Sequence, residues 1–301
     1  MHGGYASAMA TSNCDLMVVV GARFSDRVAG DTKAFAKDAK IIHIDIDAAE
    51  FDKNVLVDLT ICGSADAVLA KLSRNVEKAD HSEWVNQIAE WGEEKKCVQN
   101  DGENVTPEAV FNELNKIMNP QDILCTDVGQ HQMWAAQMYD FKLPRTFITS
   151  GGLGTMGYGM GASIGSQVGN PDKRVVLITG DGSFHMNLNE LTTMASYNLP
   201  VVVIVMNNQV LGMVRQWQKL FYGNRFSHTD PCRKTDFVRL AEAFGVTGMR
   251  ITKADEVSGV LAEAFAKNGP VVIDCRISKD MNALPMIPPG LGADKIITEM
   301  E

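Results

Sequence analysis

The sequence has 301 residues, 45% of them hydrophobic and 22% charged, with a formal net charge of −9. That length suits two ordinary domains with a substantial core, and the acidic balance argues against nucleic acid or an anionic membrane as a main partner. Apolar runs stop at about six residues, far short of a membrane span. The six cysteines (14, 62, 97, 125, 232 and 275) form no Cys-x-x-Cys pair, and no basic-then-apolar leader opens the chain, so the cytoplasm is the expected compartment.

Residues 1–76 read as α/β. Asp15–Val20 and Ile41–Ile46 are β-branched-rich strands, Ile61–Gly63 suggests a third, and helices are expected over 32–39 and 65–76. So few strands make a marginal core for a Rossmann-like domain. Residues 77–104 change texture. Trp84, Ile88 and Trp91 stand at i, i+4 and i+7, one face of a helical connector that packs that face on a domain.

From residue 105 a second α/β domain is expected to run to 301. Thr106 and Pro107 read as the N-cap and first position of a helix. Strands follow at 123–126, 147–149, 174–179, 201–206 and 271–275, alternating with helices, which implies a doubly wound, mostly parallel sheet. Gly157, Gly161, Gly165 and Gly169 recur every fourth residue and suggest a flat helix face for close backbone packing. Gly152–Gly157 satisfies G-x-G-x-x-G, but no acidic residue follows at the distance a dinucleotide site requires.

The most informative segment runs from Gly180-Asp181-Gly182-Ser183 to Asn207-Asn208. A strand (174–179), a helix (187–197, with Asn187 as N-cap and Glu190 three residues on) and a strand (201–206) form a right-handed crossover unit. Asp181 and Asn208 then both follow carboxyl ends of parallel strands, where open α/β sheets bind ligands. Carboxylate and amide oxygens are hard ligands suited to Mg²⁺ or Ca²⁺ rather than zinc, and Mg²⁺ usually shares its shell with phosphates. Gly180 and Gly182 allow a phosphate close to the backbone. Gly-Asp-Gly alone is also an ordinary turn; its spacing to Asn207-Asn208 in this frame favours a diphosphate held through Mg²⁺.

Gly180-Asp181-Gly182 through Asn207-Asn208 resembles the motif of thiamin diphosphate-dependent enzymes. Residues 211–218 (LGMVRQWQ), 220–222 (LFY), 129–134 (GQHQMW) and 150–157 (SGGLGTMG) narrow the resemblance to the catalytic large subunit of acetolactate synthase, over the whole chain. It implies thiamin diphosphate and Mg²⁺ as cofactors. Asp181, Asn208 and a main-chain oxygen near Val210 would be the metal ligands. Gly129, Gln130, His131, Gly180, Gly182 and Ser183 would meet the diphosphate, Gly154, Met156 and Met213 the rest of the cofactor, and Trp217 the second substrate. The implied reaction is decarboxylation of pyruvate and transfer of its two-carbon hydroxyethyl unit to a second 2-oxoacid, pyruvate or 2-oxobutyrate, in branched-chain amino acid biosynthesis.

By the same resemblance His2, Gly3, Arg23, Arg27, Asp45 and Ile46 match contacts to a structural FAD, and 1–76 is the second half of a central domain. The glutamate that activates the cofactor's pyrimidine belongs to an N-terminal domain with no counterpart here, so the chain reads as a C-terminal piece with little activity alone and no catalytic residue of its own. A homo-oligomer and a regulatory small subunit are the implied partners, without nucleic acid or membrane. Two alternatives stay open: the diphosphate-binding subunit of a split 2-oxoacid decarboxylase, and a non-catalytic cofactor-binding fragment.

Overall fold

The computed structural model describes residues 3–94 and 104–299. By contacts the chain divides into two compact units, Met1–Cys97 with Leu284–Glu301, and Val98–Ala283. Residues 284–299 therefore group with the first unit rather than with the sheet they follow. Both units are α/β with parallel sheets only.

The first unit runs α1 (Tyr5–Asn13), β1 (Leu16–Val20), α2 (Asp26–Ala29), β2 (Lys40–Asp45), β3 (Leu59–Cys62), α3 (Ala65–Asn75) and α4 (Ser82–Glu94). The three strands pair in chain order, Val18 opposite Ile42 and Ile44 opposite Ile61. Phe24, Ala29, Ala36, Ile41 and Val55 make a small core. On α4, Trp84, Ile88 and Trp91 are half-buried on one face, and the two indoles meet edge to face at 5.7 Å.

The helix expected over 32–39 does not form; the segment is a run of turns. Gly30 ends α2 after one turn with φ +57, the Asp31 carboxylate captures the Lys33 amide at 2.9 Å, and Ala36 has φ +45. A local Asx bond and a left-handed residue each divert the backbone from helix.

The second unit runs α5 (Pro107–Ile117), β4 (Ile123–Thr126), α6 (Gln130–Met138), β5 (Phe147–Ile148), α7 (Tyr158–Gly169), β6 (Val175–Gly180), α8 (Asp181–Asn187), α9 (Leu191–Ser196), β7 (Val201–Asn207), α10 (Gly212–Phe221), α11 (Phe237–Ala243), β8 (Thr247–Ile251), α12 (Val257–Ala266) and β9 (Val271–Arg276). Thr106 caps α5, accepting from the Ala109 amide at 3.2 Å, with Pro107 next as expected. The strand order is β5-β4-β6-β7-β9-β8, all parallel. Val175–Ile178 and Val201–Val205 are fully buried, with helices on both faces. Each such side chain contributes roughly 1.5–3 kcal/mol by burial, so these central strands are a rigid mount for whatever their ends carry.

Two expectations fail in α7–α9. The helix after the Gly-Asp-Gly segment begins at Asp181, not Asn187, and passes through a 3₁₀ turn at Leu188–Glu190. Asn187 caps nothing: its amide donates to the Gly157 carbonyl at 3.3 Å, while Glu190 accepts from Thr193 Oγ1 at 2.8 Å. Nor do the four-spaced glycines of α7 serve packing, since a Cβ on Gly161, Gly165 or Gly169 would meet open space. The close approach is at Gly159, where a Cβ would stand 2.7 Å from Leu177 Cδ1 and 3.1 Å from the Asp127 amide.

Candidate functional site

β4 pairs with β5 on one side and β6 on the other, so the chain reverses direction across the sheet between β4 and β6. Such switch points open a crevice beyond the carboxyl ends of the two strands. Here those ends carry Asp127-Val128-Gly129-Gln130-His131 and Gly180-Asp181-Gly182-Ser183. β7, beside β6, delivers Asn207 and Asn208 to the same edge. A cavity of about 120 Å³ lies there, with Gly129, His131, Met156, Asp181, Asn208 and Met213 in its wall.

The wall is held by buried polar contacts. Asp127 is fully buried; its Oδ1 accepts from the amides of Val128 at 3.0 Å and Gly157 at 2.8 Å, and burial pushes its carboxyl pKa up. It thus ties β4 to the loop that carries Met156, where Gly157 takes φ +88. Ser183 Oγ donates to the Val128 carbonyl at 2.8 Å, linking the two sides of the crevice.

His131 is held between two glycines. A Cβ on Gly129 or on Gly180 would come within 2.9 Å of its ring. Burial pushes its pKa down to about 3, against a bond to the Asp127 main chain, so the imidazole is neutral at pH 7. Its Nε2 is buried with no hydrogen-bond partner among the described residues. A buried polar atom is normally paired, and this one belongs to the wall of a cavity. Gln130 Nε2 donates to Gln216 Oε1 at 2.8 Å and to the Met281 carbonyl at 3.0 Å, while its Oε1 faces Asn208 Nδ2 at 3.4 Å.

Asp181 is 3% exposed. Burial raises its pKa, and the Arg233 guanidinium, 3.0 Å from Oδ2, opposes that shift. The Asp181 carbonyl accepts from His185 Nδ1 at 2.6 Å, and His185 Nε2 is hydrogen-bonded to Thr235 Oγ1 at 2.8 Å. Asn208 Oδ1 accepts from the Val210 amide at 3.1 Å, closing a turn through Gln209, which has φ +60. One carboxylate, one amide oxygen and main-chain oxygens fit Mg²⁺, which takes few protein ligands and completes its octahedron with water and phosphate. Among the described residues no group of three His, Cys, Asp or Glu stands together, so the softer zinc-type set is not assembled there.

Of the positions singled out in the sequence, Gly129, Gln130, His131, Met156, Gly180, Asp181, Gly182, Ser183, Asn208, Val210 and Met213 all line this cavity. Gly154 and Trp217 do not; Gly154 has φ +74, and Trp217 is half-buried on α10 with its ring edge to face against Phe221 at 5.5 Å. In the first unit, Gly3, Arg23 and Arg27 line a separate cavity of about 540 Å³. Asp45 and Ile46 do not line it: the Asp45 carboxylate accepts from the Asp47 amide at 2.8 Å, and Ile46 is exposed. His2 lies outside the described residues. Asp127 and Arg233 were not expected. Asp127 had no signal beyond its place after a strand, and Arg233 sits in a polar loop that sequence periodicity does not place.

Residues 127–275 match the family described as "Thiamine pyrophosphate enzyme, C-terminal TPP binding domain", and residues 1–72 match "Thiamine pyrophosphate enzyme, central domain". A probable acetolactate synthase large subunit of Methanocaldococcus jannaschii is 44% identical over 300 residues, covering 96% of this chain and 51% of that protein. The acetolactate synthase large subunit of Corynebacterium glutamicum is 44% identical over 302 residues (96% and 48%), and the isozyme 2 large subunit of Escherichia coli 39% over 301 residues (100% and 54%). The chain spans about half the length of the curated relatives it matches. With two thiamine pyrophosphate enzyme domains matched in succession and relatives matched along nearly the whole chain, the chain belongs to the thiamine pyrophosphate enzyme family and is similar to the acetolactate synthase large subunits.

Proposed function

We propose that this chain is the cofactor-holding part of an acetolactate synthase, binding the diphosphate of thiamin diphosphate through Mg²⁺. The observation that carries this reading is the meeting of Asp181, Asn208, Val210 and the unpaired His131 Nε2 in one cavity at the sheet's switch point. Asp181 and Asn208 side chains and the Val210 carbonyl hold the metal. The backbone at Gly129, Gly180, Gly182 and Ser183, with Gln130, faces the diphosphate. His131 adds no positive charge there, because it is neutral; it offers a ring nitrogen. Met156 and Met213 give the apolar wall against which the rest of the cofactor rests, with Gly154 beside them in the loop.

When bound, thiamin diphosphate would supply a nucleophilic ring carbon to add to the 2-oxoacid carbonyl and a cationic ring to take up the electron pair left when CO₂ departs. The residues of this chain orient that group and keep water from it. Pyruvate as donor, pyruvate or 2-oxobutyrate as acceptor with Trp217 at the entry, a homo-oligomer and a regulatory small subunit complete the proposal, as does a cytoplasmic setting. Among the described residues no helix is long and apolar enough to cross a membrane. Of the positions that match FAD contacts, Gly3, Arg23 and Arg27 share the first unit's cavity, whereas Asp45 and Ile46 stand outside it.

The test is calorimetric titration of the chain with thiamin diphosphate, with and without Mg²⁺, beside Asp181→Ala. Metal-dependent binding that the variant abolishes is expected. Equal binding without Mg²⁺, or by the variant, would overturn the site.

A further inference from the structure

Asp274 lies within β9, paired with Val205 of β7 on one side and Arg250 of β8 on the other, and is fully buried. A buried carboxylate is costly unless it is paired and hydrogen-bonded. Its Oδ2 accepts from Arg250 Nε at 3.1 Å and Arg276 Nε at 2.9 Å, and both arginines are about one-third exposed. The arginines explain how the charge is tolerated. They do not explain why a charge is there, since with an apolar residue like Ile273 or Cys275 at this position Arg276 would turn to water and Arg250 would keep Asp236.

The remaining contact supplies a reason. Asp274 Oδ1 accepts from Asn207 Nδ2 at 2.7 Å, and both residues are buried. A carboxylate has no hydrogen to give, so only the NH₂ end of the Asn207 amide can face it. The other end, Oδ1, is thereby turned to accept from the Gln209 amide at 3.3 Å, at the residue with φ +60. The Asn207 carbonyl is pinned as well, by the Ile277 amide at 3.1 Å. Immediately after Asn207 the chain makes the turn that presents Asn208 and Val210 to the cavity.

We propose that Asp274 is a positioning residue for the metal site: it fixes the orientation of the Asn207 amide, and that amide shapes the Asn208–Val210 turn. The inference rests on the metal-site reading above and adds to it a partner, hydrogen-bonded to the residue that precedes Asn208, that tunes its affinity. Groups hydrogen-bonded directly to a ligand typically alter metal affinity by roughly 10- to 100-fold, and one residue further out the lower end of that range is expected.

The experiment is Mn²⁺ titration of the full chain by electron paramagnetic resonance with thiamin diphosphate present, for the parent, Asn207→Ala, Asp274→Asn, the double variant and Arg276→Gln. Both single variants are expected to weaken Mn²⁺ about tenfold, and the double variant no more than the weaker-binding single one, because the two act through one bond. Arg276→Gln touches the same carboxylate but not the turn, so it should lower the melting temperature and leave Mn²⁺ affinity within about twofold. A purely structural role would lower the melting temperature of every variant and the Mn²⁺ affinity of none, which would overturn the inference. Additive losses in the double variant would overturn it too. A parent chain that binds no Mn²⁺ would overturn the metal-site reading and the inference with it.

Discussion

Acidification should weaken this protein through one histidine. His131 is buried, and its pKa lies at about 3 instead of the ordinary 6.5 because desolvation penalises the imidazolium. A histidine with a depressed native pKa is neutral when folded, while the unfolded chain takes up a proton below 6.5. The unfolded state therefore binds more protons, and stability is lost as pH falls through 6.5 toward 3. Each pH unit below 6.5 costs about 1.4 kcal/mol, so moving from pH 8 to pH 5 should cost about 2 kcal/mol from this group alone. Asp127 and Asp181, with raised pKa values, act in the opposite sense, since their native forms take up protons first. The comparison with His131→Asn removes that contribution, because the variant keeps both carboxylates and an amide NH for the Asp127 main chain. Urea unfolding at pH 8 and pH 5 should show the parent losing about 2 kcal/mol more than the variant. The proton resonances of the His131 ring should also fail to titrate between pH 8 and pH 5. Equal losses in parent and variant, or a ring that titrates near pH 6.5, would refute the reasoning.

Three further outcomes are expected. In Gly212→Ala the new Cβ would overlap Gln130 Oε1 and stand 2.7 Å from Asn208 Nδ2, and Gln130 is pinned by Gln216 and Met281. The substitution should lower stability by about 1–3 kcal/mol and weaken Mn²⁺ binding, measured by unfolding and by metal titration. Gly159→Ala should cost a similar amount through Leu177 and the Asp127 amide, whereas Gly161→Ala, whose Cβ meets open space in the same helix, should stabilise by about 0.5–1 kcal/mol; equal effects would show that the wrong face of α7 was read as packed. Arg233→Gln removes the cation that faces Asp181, so Mn²⁺ alone should bind more tightly at pH 8. Because Arg233 also opposes the upward shift of the Asp181 pKa, its loss lets protons compete better, and the gain should shrink as the pH is lowered. Weaker Mn²⁺ binding at pH 8 would show that Arg233 assists the metal.

The central sheet and the segment that carries Asp181 and Asn208 to one edge were legible because their signals are local. Val175–Thr179 and Val201–Met206 are β-branched runs that a buried parallel strand requires, and the Asp181 and Asn208 ends follow from them. β8 (Thr247–Ile251) was missed because Thr-Gly-Met-Arg-Ile has no apolar run; its Arg250 is drawn into the sheet by Asp274, a contact made only when the chain is folded. The α7 glycines misled for a related reason. A four-residue period marks one helix face, but nothing in the period says which face meets the sheet, and Gly159, outside the series, is the one pressed against β4 and β6.

The two halves of the site are held by different physics, and this explains where sequence stopped being informative. The His131 side is steric: Gly129 and Gly180 leave room that any Cβ would fill, and glycines can be read from a sequence. The Asn208 side is electrostatic and relayed. Asn208 follows Asn207, Asn207 is turned by Asp274, and Asp274 is balanced by Arg250, whose Nη2 also donates to Asp236 Oδ1 at 2.6 Å at the cap of α11. The same polar segment carries Arg233 back to Asp181. The relay thus starts at one expected metal ligand and ends three residues from the group that faces the other. Every link joins residues far apart in sequence except Asn207 and Asn208, so no spacing rule reveals it. Loss of an exposed link such as Arg250–Asp236 should therefore perturb metal affinity less than loss of the buried Asn207–Asp274 bond, because solvent screens the first and not the second.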